Sequence, residues 1–203
     1  MAAPVTLYYF DFPGRAEPIR IALLLGGIEF EDKRLTLPEF KSSEFKHLPV
    51  MQMDGITYSQ STALLRYVGK LAGLLPEDPL EALKVDEVVM TAEDLSIAAS
   101  ATNVIEDEEK KLEARKRLVE GTMKEVLETL EAKKVANPPS KFFFGESITI
   151  ADLMIHTTVM TIESGIFDGI PQAIVSELAP SLKDIHLAVM EDPKVKEWYA
   201  SKV

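Results

Sequence analysis

The stretch Leu48-Pro49-Val50-Met51-Gln52-Met53-Asp54-Gly55-Ile56-Thr57-Tyr58-Ser59-Gln60-Ser61 decides the fold. Val50 to Met53 is a short, mostly apolar run that suits a strand. Asp54-Gly55 is a two-residue hairpin signal, because glycine takes positive φ without steric cost. Ile56-Thr57-Tyr58 is β-prone and returns antiparallel. After Gln60-Ser61, the residues Leu64, Leu65, Val68, Leu71 and Ala72 recur with a helical period. Ser61 is the expected N-cap, its hydroxyl lying with free N–H groups at the positive end of the helix. Such an end, carrying Gln60 and Ser61, can hold a carboxylate. Pro49, directly ahead of a strand, is a place for a cis bond. That bend leaves the N–H and C=O of the preceding residue free to pair with an extended peptide. A plain hairpin packed on a helix accounts for the same residues, and both readings stay open on this stretch alone.

Upstream, Val5 to Phe10 is aromatic and β-branched and reads as a buried strand, broken by Asp11-Phe12-Pro13-Gly14. Arg15 to Leu25 is predicted as a helix with Ile19, Ala22 and Leu23 inward, ended by Gly26-Gly27. Ile28 to Leu35 returns as a second strand, giving the β-α-β unit that parallel strands require. Thr36 to His47 is polar, with one helical turn around Pro38-Glu39-Phe40-Lys41. The order β-α-β-α-β-β-α resembles a thioredoxin-like α/β domain.

Downstream, Gly73-Leu74-Leu75-Pro76-Glu77-Asp78-Pro79 is the linker candidate. The expected division is an α/β domain over 1–78 and an all-helical domain over 79–203. One long helix is predicted from Leu80 to about Asp107 and a second from Glu108 to about Val135. The charge run Glu106 to Lys111 at their junction is a solvated face. Lys141 to Phe144 is the one short strand signal. Thr149-Ile150-Ala151-Asp152 is a capping box that opens a helix running to Ser164, with Ile148 placed to staple onto Leu153. Shorter helices are expected over 172–178, 181–191 and 193–201.

The 203 residues carry a formal charge of −11, which argues against nucleic acid or an anionic membrane as the main partner. With no cysteine, neither a disulfide nor a catalytic thiolate is available from the protein. Three scattered histidines make no zinc set, and no metal site is expected. The opening Met-Ala-Ala-Pro-Val lacks the charged and apolar segments of a signal peptide, and no apolar run reaches membrane-spanning length. The expected location is the cytoplasm.

Three groups of residues then point to a family. Tyr9-Phe10-Asp11-Phe12-Pro13-Gly14-Arg15-Ala16-Glu17, Leu48-Pro49 with Gln60-Ser61-Thr62-Ala63-Leu64-Leu65-Arg66-Tyr67, and Gly145-Glu146-Ser147-Ile148-Thr149-Ile150-Ala151-Asp152 resemble the cytosolic glutathione S-transferases along essentially the whole chain. The opening motif and Leu37-Pro38-Glu39-Phe40-Lys41 are most similar to the sigma class, which includes haematopoietic prostaglandin D synthase. The resemblance implies a two-domain fold, glutathione as co-substrate with no tightly bound cofactor, and a homodimer. It makes Tyr9 the hydroxyl donor to the glutathione sulfur, with Arg15 donating to the sulfur or securing Tyr9. A free thiol has a pKa of about 8.5, so a donor that stabilises the anion is what the chemistry needs. Tyr8 is adjacent and points to the other face of the strand.

By the same resemblance Leu48, before Pro49, pairs its backbone with the cysteinyl part. Gln60 and Ser61 take the γ-glutamyl end, Lys41 the glycyl carboxylate, and Asp94 reaches the γ-glutamyl amine of the partner subunit. Two positions depart from the sigma pattern: Leu37 stands where a tryptophan is expected and His47 where a lysine is common, each removing or weakening a donor. Pro13 also replaces a basic residue. The electrophile pocket is expected between Tyr9 and the end of the first long helix, with Phe12, Ala101, Thr102, Ile105 and residues near Trp198-Tyr199 as walls. Phe45 either plugs into a partner subunit or folds back on its own domain. The function implied is conjugation of glutathione to hydrophobic electrophiles. The alternatives are a glutathione-dependent prostaglandin D-type isomerase and a non-catalytic, crystallin-like or ligand-carrying homologue.

Overall fold

A computed structural model describes residues 5–201. Residues 1–4, on which the signal-peptide expectation falls, lie outside the described residues. The first part of the chain runs β1 (Val5–Phe10), α1 (Glu17–Leu25), β2 (Phe30–Leu35), α2 (Leu37–Ser42), β3 (Val50–Met53), β4 (Ile56–Ser59) and α3 (Ser61–Leu71). The sheet order is β2-β1-β3-β4, with β1 and β2 parallel and the other pairs antiparallel. Val5, Leu7 and Tyr9 of β1 are buried while Thr6, Tyr8 and Phe10 are half-buried, the two-residue period of a pleated strand. The hairpin turn has both Asp54 (φ 51°) and Gly55 (φ 74°) left-handed, the conformation that Asp-Gly favours.

Register places the site. Tyr8 lies opposite Val50, and Val50 opposite Ser59. One residue further along, Tyr9, Pro49 and Gln60 therefore fall at the same end of the sheet. The Leu48–Pro49 bond there is cis.

Several expectations about element ends are corrected. The first helix opens as a 3₁₀ turn over Gly14–Ala16, and α1 proper starts at Glu17. The second strand starts at Phe30 rather than Ile28, because Gly27 turns left-handed (φ 64°) and the Ile28 N–H closes the helix end on Leu23 O. Ser61 is not the N-cap of α3 but its first residue. Gln60 holds the N-cap position in a left-handed conformation (φ 76°, ψ 100°).

The second part is helical: α4 (Pro79–Ala101), α5 (Glu108–Leu118), α6 (Lys124–Ala136), α7 (Ile150–Glu163), α8 (Ile174–Leu178), α9 (Pro180–Met190) and α10 (Pro193–Ala200). The first long helix stops at Ala101, six residues short of the prediction. A 3₁₀ turn over Thr102–Val104 follows, where the Thr102 hydroxyl bonds back to Ala99 O and Asp107 starts a new helix as N-cap. The predicted helix 108–135 is interrupted by a π turn over Val119–Met123, with Gly121 at φ −112°, ψ −106°. Lys141–Phe144 forms no strand, only a single bridge between Phe142 and Gly145.

At the start of α7, one Asp152 oxygen accepts the N–H and hydroxyl of Thr149, and the other accepts Phe143 N–H at 2.8 Å. The two parts share one core. Gly69 of α3 lies against Ile150 of α7 so closely that a Cβ there would stand 2.4 Å from Ile150 Cγ2. No helix among the described residues is long and apolar enough to cross a membrane.

Candidate functional site

Tyr9 sits one residue before the end of β1 with its ring buried. Phe12 packs edge-on against it at 5.3 Å, and Phe10 stacks on Phe12. Phe10 in turn meets Phe40, which anchors α2 to this end of the sheet. The Tyr9 oxygen accepts the Arg15 N–H at 3.2 Å from the turn that opens α1. That leaves the hydroxyl's own proton to donate elsewhere. Burial pushes the Tyr9 pKa above the ordinary tyrosine value; the Arg15 N–H bond and the charges of Arg15 and Arg20 oppose that shift in part, and Glu93 adds to it. The group is thus a neutral phenol at pH 7 and a donor, not a phenolate base.

Below this turn lies Arg20, a charge inside an apolar helix. Its side chain is fully buried. It binds Asp32 through Nε at 2.9 Å and, through Nη1, Glu17 at 3.0 Å, Phe12 O at 3.1 Å and Pro13 O at 3.2 Å. It thereby holds the backbone between Tyr9 and Arg15 in place. Glu17 also accepts from Trp198 Nε1 at 2.9 Å, which ties α10 to the same cluster.

Tyr9 opens on a cavity of about 400 Å³ between the sheet end and the helices α4 and α7. Phe12, Arg15 and Ser61 line it with Tyr9. The wall on this side is Glu93, Ser96, Ala99 and Ser100 of α4, three and four residues apart on one helix face, continued by Asn103 in the 3₁₀ turn that follows the helix. Met154, Thr157 and Thr161 of α7 and Phe167 beyond it form the opposite side. Arg15 makes an ion pair with Glu93 at 3.4 Å across the mouth. Burial raises the Glu93 pKa, Arg15 opposes the rise and Asp94 adds to it.

Three expected pocket walls lie elsewhere. Ala101 is exposed, Thr102 is buried under Arg115, and Ile105 lies past the end of α4; none of them lines the cavity. The helix was expected to run on to about Asp107, whereas it stops at Ala101 and the cavity is met by Ser96 and Ser100 of α4 and by Asn103 in the turn after it. Trp198 and Tyr199 are also absent from the cavity. The reason is that α10 docks on α1, through Lys194 to Leu25 O at 3.0 Å and Trp198 to Glu17, and Tyr199 faces His156 at 3.0 Å.

The peptide-binding candidates group differently. Leu37 and Lys41 are exposed on α2, and His47 is exposed just ahead of half-buried Leu48. No described residue hydrogen-bonds to the Leu48 N–H or C=O. Gln60 is exposed beside Ser61 at the start of α3, and Asp94 is exposed on α4 next to Glu93. Phe45 is half-buried against the Tyr8 ring at 5.0 Å, so it folds onto its own sheet. Sequence reasoning missed Glu93, Asn103 and Arg20. The signals for them were present: polar residues three and four apart along α4 and into the turn after it, and one arginine in the otherwise apolar run Ile19–Leu25.

Residues 5–70 match the family model described as "Glutathione S-transferase, N-terminal domain", and residues 93–202 match "Glutathione S-transferase, C-terminal domain". "Glutathione S-transferase 3" of Caenorhabditis elegans is 31% identical over 207 residues, covering 97% of this chain and 95% of that protein. "Hematopoietic prostaglandin D synthase" of Gallus gallus is 28% identical over 196 residues, covering 93% and 96%. A solved structure titled "Fasciola hepatica sigma class GST" shares the fold with a TM-score of 0.84 at 21% identity, covering 99% of this chain and 97% of that one. Matched in both parts and aligned with its relatives over nearly their whole length, the chain belongs to the glutathione S-transferase family, whose co-substrate is glutathione, and is similar to its sigma and prostaglandin D synthase-like members.

Proposed function

We propose that the chain binds glutathione at the sheet end formed by Tyr9, Pro49 and Gln60, and adds its sulfur to a hydrophobic electrophile held in the cavity. The single observation that carries this reading is the Tyr9 hydroxyl. It is buried at the cavity, kept protonated by that burial, and already accepts the Arg15 N–H, so its proton is available to a sulfur. A donor of this kind stabilises a thiolate more than a thiol and lowers the thiol pKa. A fall of two units corresponds to about 2.7 kcal/mol, within reach of one or two charge-assisted hydrogen bonds.

The free backbone of Leu48 would pair with the cysteinyl part. Gln60 and Ser61 at the positive end of α3 would hold the γ-glutamyl carboxylate. Lys41 would meet the glycyl carboxylate. Leu37 and His47 offer it less than a tryptophan and a lysine would, so glutathione affinity should be modest. Exposed Asp94 would reach the partner subunit's glutathione in a homodimer, and the cytoplasm is the proposed location. A domain limit at 78/79 is proposed on the ground that Asp78 is the N-cap of α4 and accepts the N–H groups of Leu80 and Glu81.

The test is the ultraviolet absorbance of bound glutathione thiolate against pH, in wild type and Tyr9→Phe. Wild type should show a thiolate pKa well below the free value. The variant should return it upward and lose about ten- to a hundredfold in turnover with a small neutral electrophile. Binding without pKa depression in wild type would remove the catalytic reading and leave a non-catalytic, ligand-carrying homologue. The relationship to the chicken synthase favours assaying isomerisation of a prostaglandin endoperoxide alongside, since the same thiolate would serve.

A further inference from the structure

The far end of the cavity is built around a buried cation. Arg115 of α5 is 4% exposed, and its hydrogen-bond partners among the described residues are all neutral. Nε donates to Thr102 Oγ1 at 3.1 Å, Nη1 to Asp168 O at 3.1 Å and Nη2 to Asn103 Oδ1 at 2.8 Å. The guanidinium also sits 5.5 Å from the centre of the Phe167 ring. A guanidinium is a fixed cation, and dipoles lower the cost of burying it without cancelling its charge.

The pairing with Asn103 sets the orientation of that amide. A guanidinium only donates, so Asn103 must turn its oxygen toward Arg115 and its NH₂ group away. Asn103 and Phe167 both line the cavity, and the Asn103 NH₂ has no partner among the described residues. The cavity therefore ends in a hydrogen-bond donor backed by a positive charge. Its other end holds Tyr9 and Glu93. From Glu93 on α4 to Asn103 in the 3₁₀ turn that continues it, the chain advances ten residues, about 15 Å. Met123 and Met154 on the walls between are apolar and adaptable. With a net charge of −11, the protein as a whole repels anions, so any preference for one must be local.

We propose that Asn103, oriented and polarised by Arg115, is a specificity-determining residue that selects amphiphilic electrophiles: an apolar chain with the reactive carbon at one end and a carboxylate at the other. This rests on the transferase reading and names the acceptor class of the same site.

The test compares two unsaturated aldehydes of equal chain length, one ending in a carboxylate and one in a methyl group. In wild type kcat/KM should favour the carboxylate about tenfold, the worth of one hydrogen bond to a charged group. The ratio should fall to about one in Asn103→Ala and invert in Asn103→Asp, where a negative charge faces the substrate. Asn103 is exposed, so these variants should fold. Arg115→Met, which keeps apolar bulk against Phe167, should follow Asn103→Ala. Calorimetric binding of a saturated fatty carboxylate against the alcohol of the same length gives a readout without turnover. Equal wild-type binding of the two, or a preference that survives both Asn103 variants, overturns the proposal. A carboxylate preference in binding, with no turnover of any electrophile, would keep the subsite and remove the transferase reading instead.

Discussion

The proposed role of Tyr9 as a donor rests on what surrounds a single phenol. Burial keeps its proton on, and the Arg15 N–H occupies its oxygen. The ring is pinned from below by Gly14, where a Cβ would stand 2.6 Å from the Tyr9 hydroxyl and 2.7 Å from Phe12. Gly14 is also left-handed at φ 47°, a region costly for any side chain. Gly14→Ala should therefore cost about 1–3 kcal/mol of stability, measured by urea unfolding. At a temperature where the variant remains folded, it should still bind glutathione but lose turnover as Tyr9→Phe does. Tyr9 and Arg15 were legible in the sequence because they fall in one short motif with Gly14 between them. Arg20 was not, since a charge in an apolar helix reads as packing until its carboxylate partners, one of them on β2, are brought to it by the fold.

Helices meet here by close approach, as α3 does against α7 at Gly69. Gly69→Ala would add about 1 kcal/mol of intrinsic helix propensity. It would also drive a methyl to within 2.4 Å of a buried Ile150 branch, and overpacking costs about 1–3 kcal/mol. The second effect should win, lowering Tm by a few degrees in a thermal melt.

Between α7 and α9, His156 and His186 stack at 4.7 Å. Burial, then the neighbouring His186, hold the His156 pKa down to about 3 from 6.5. The folded value lies below the unfolded one. This group's share of stability is therefore complete above pH 6.5 and is lost as pH falls toward 3. By pH 5 the loss is about 2 kcal/mol. His156→Gln should flatten the stability profile between pH 7 and 5, leaving the smaller slope of His186, whose pKa is also lowered by burial. Element existence was readable from periodicity and caps, as the Asp152 cap of α7 shows. Element ends were not: the stop at Ala101 depends on Thr102 and Arg115 meeting across 13 positions, and the break at Gly121 on a backbone choice that glycine alone does not announce.

At the scale of the whole molecule, the site exists only where the two parts of the chain meet. The sheet end supplies Tyr9, Pro49 and Gln60, while α4 and α7 supply the cavity walls. The candidates for the proposed peptide side were legible in the sequence as candidates because they lie in continuous motifs. Most of the cavity was not, apart from Phe12, because Asn103 after α4 comes together with Thr161 and Phe167 of α7 and the turn beyond it only in the fold. The same meeting places Trp198, the chain's one tryptophan, on Glu17 and against Phe30 at the seam between α10 and α1. The protein thus carries its own optical gauge. Indole emission shifts as its surroundings become wet, so the fluorescence of the untouched protein reports the docking of its last helix on the cluster behind Tyr9, apart from the rest of the fold.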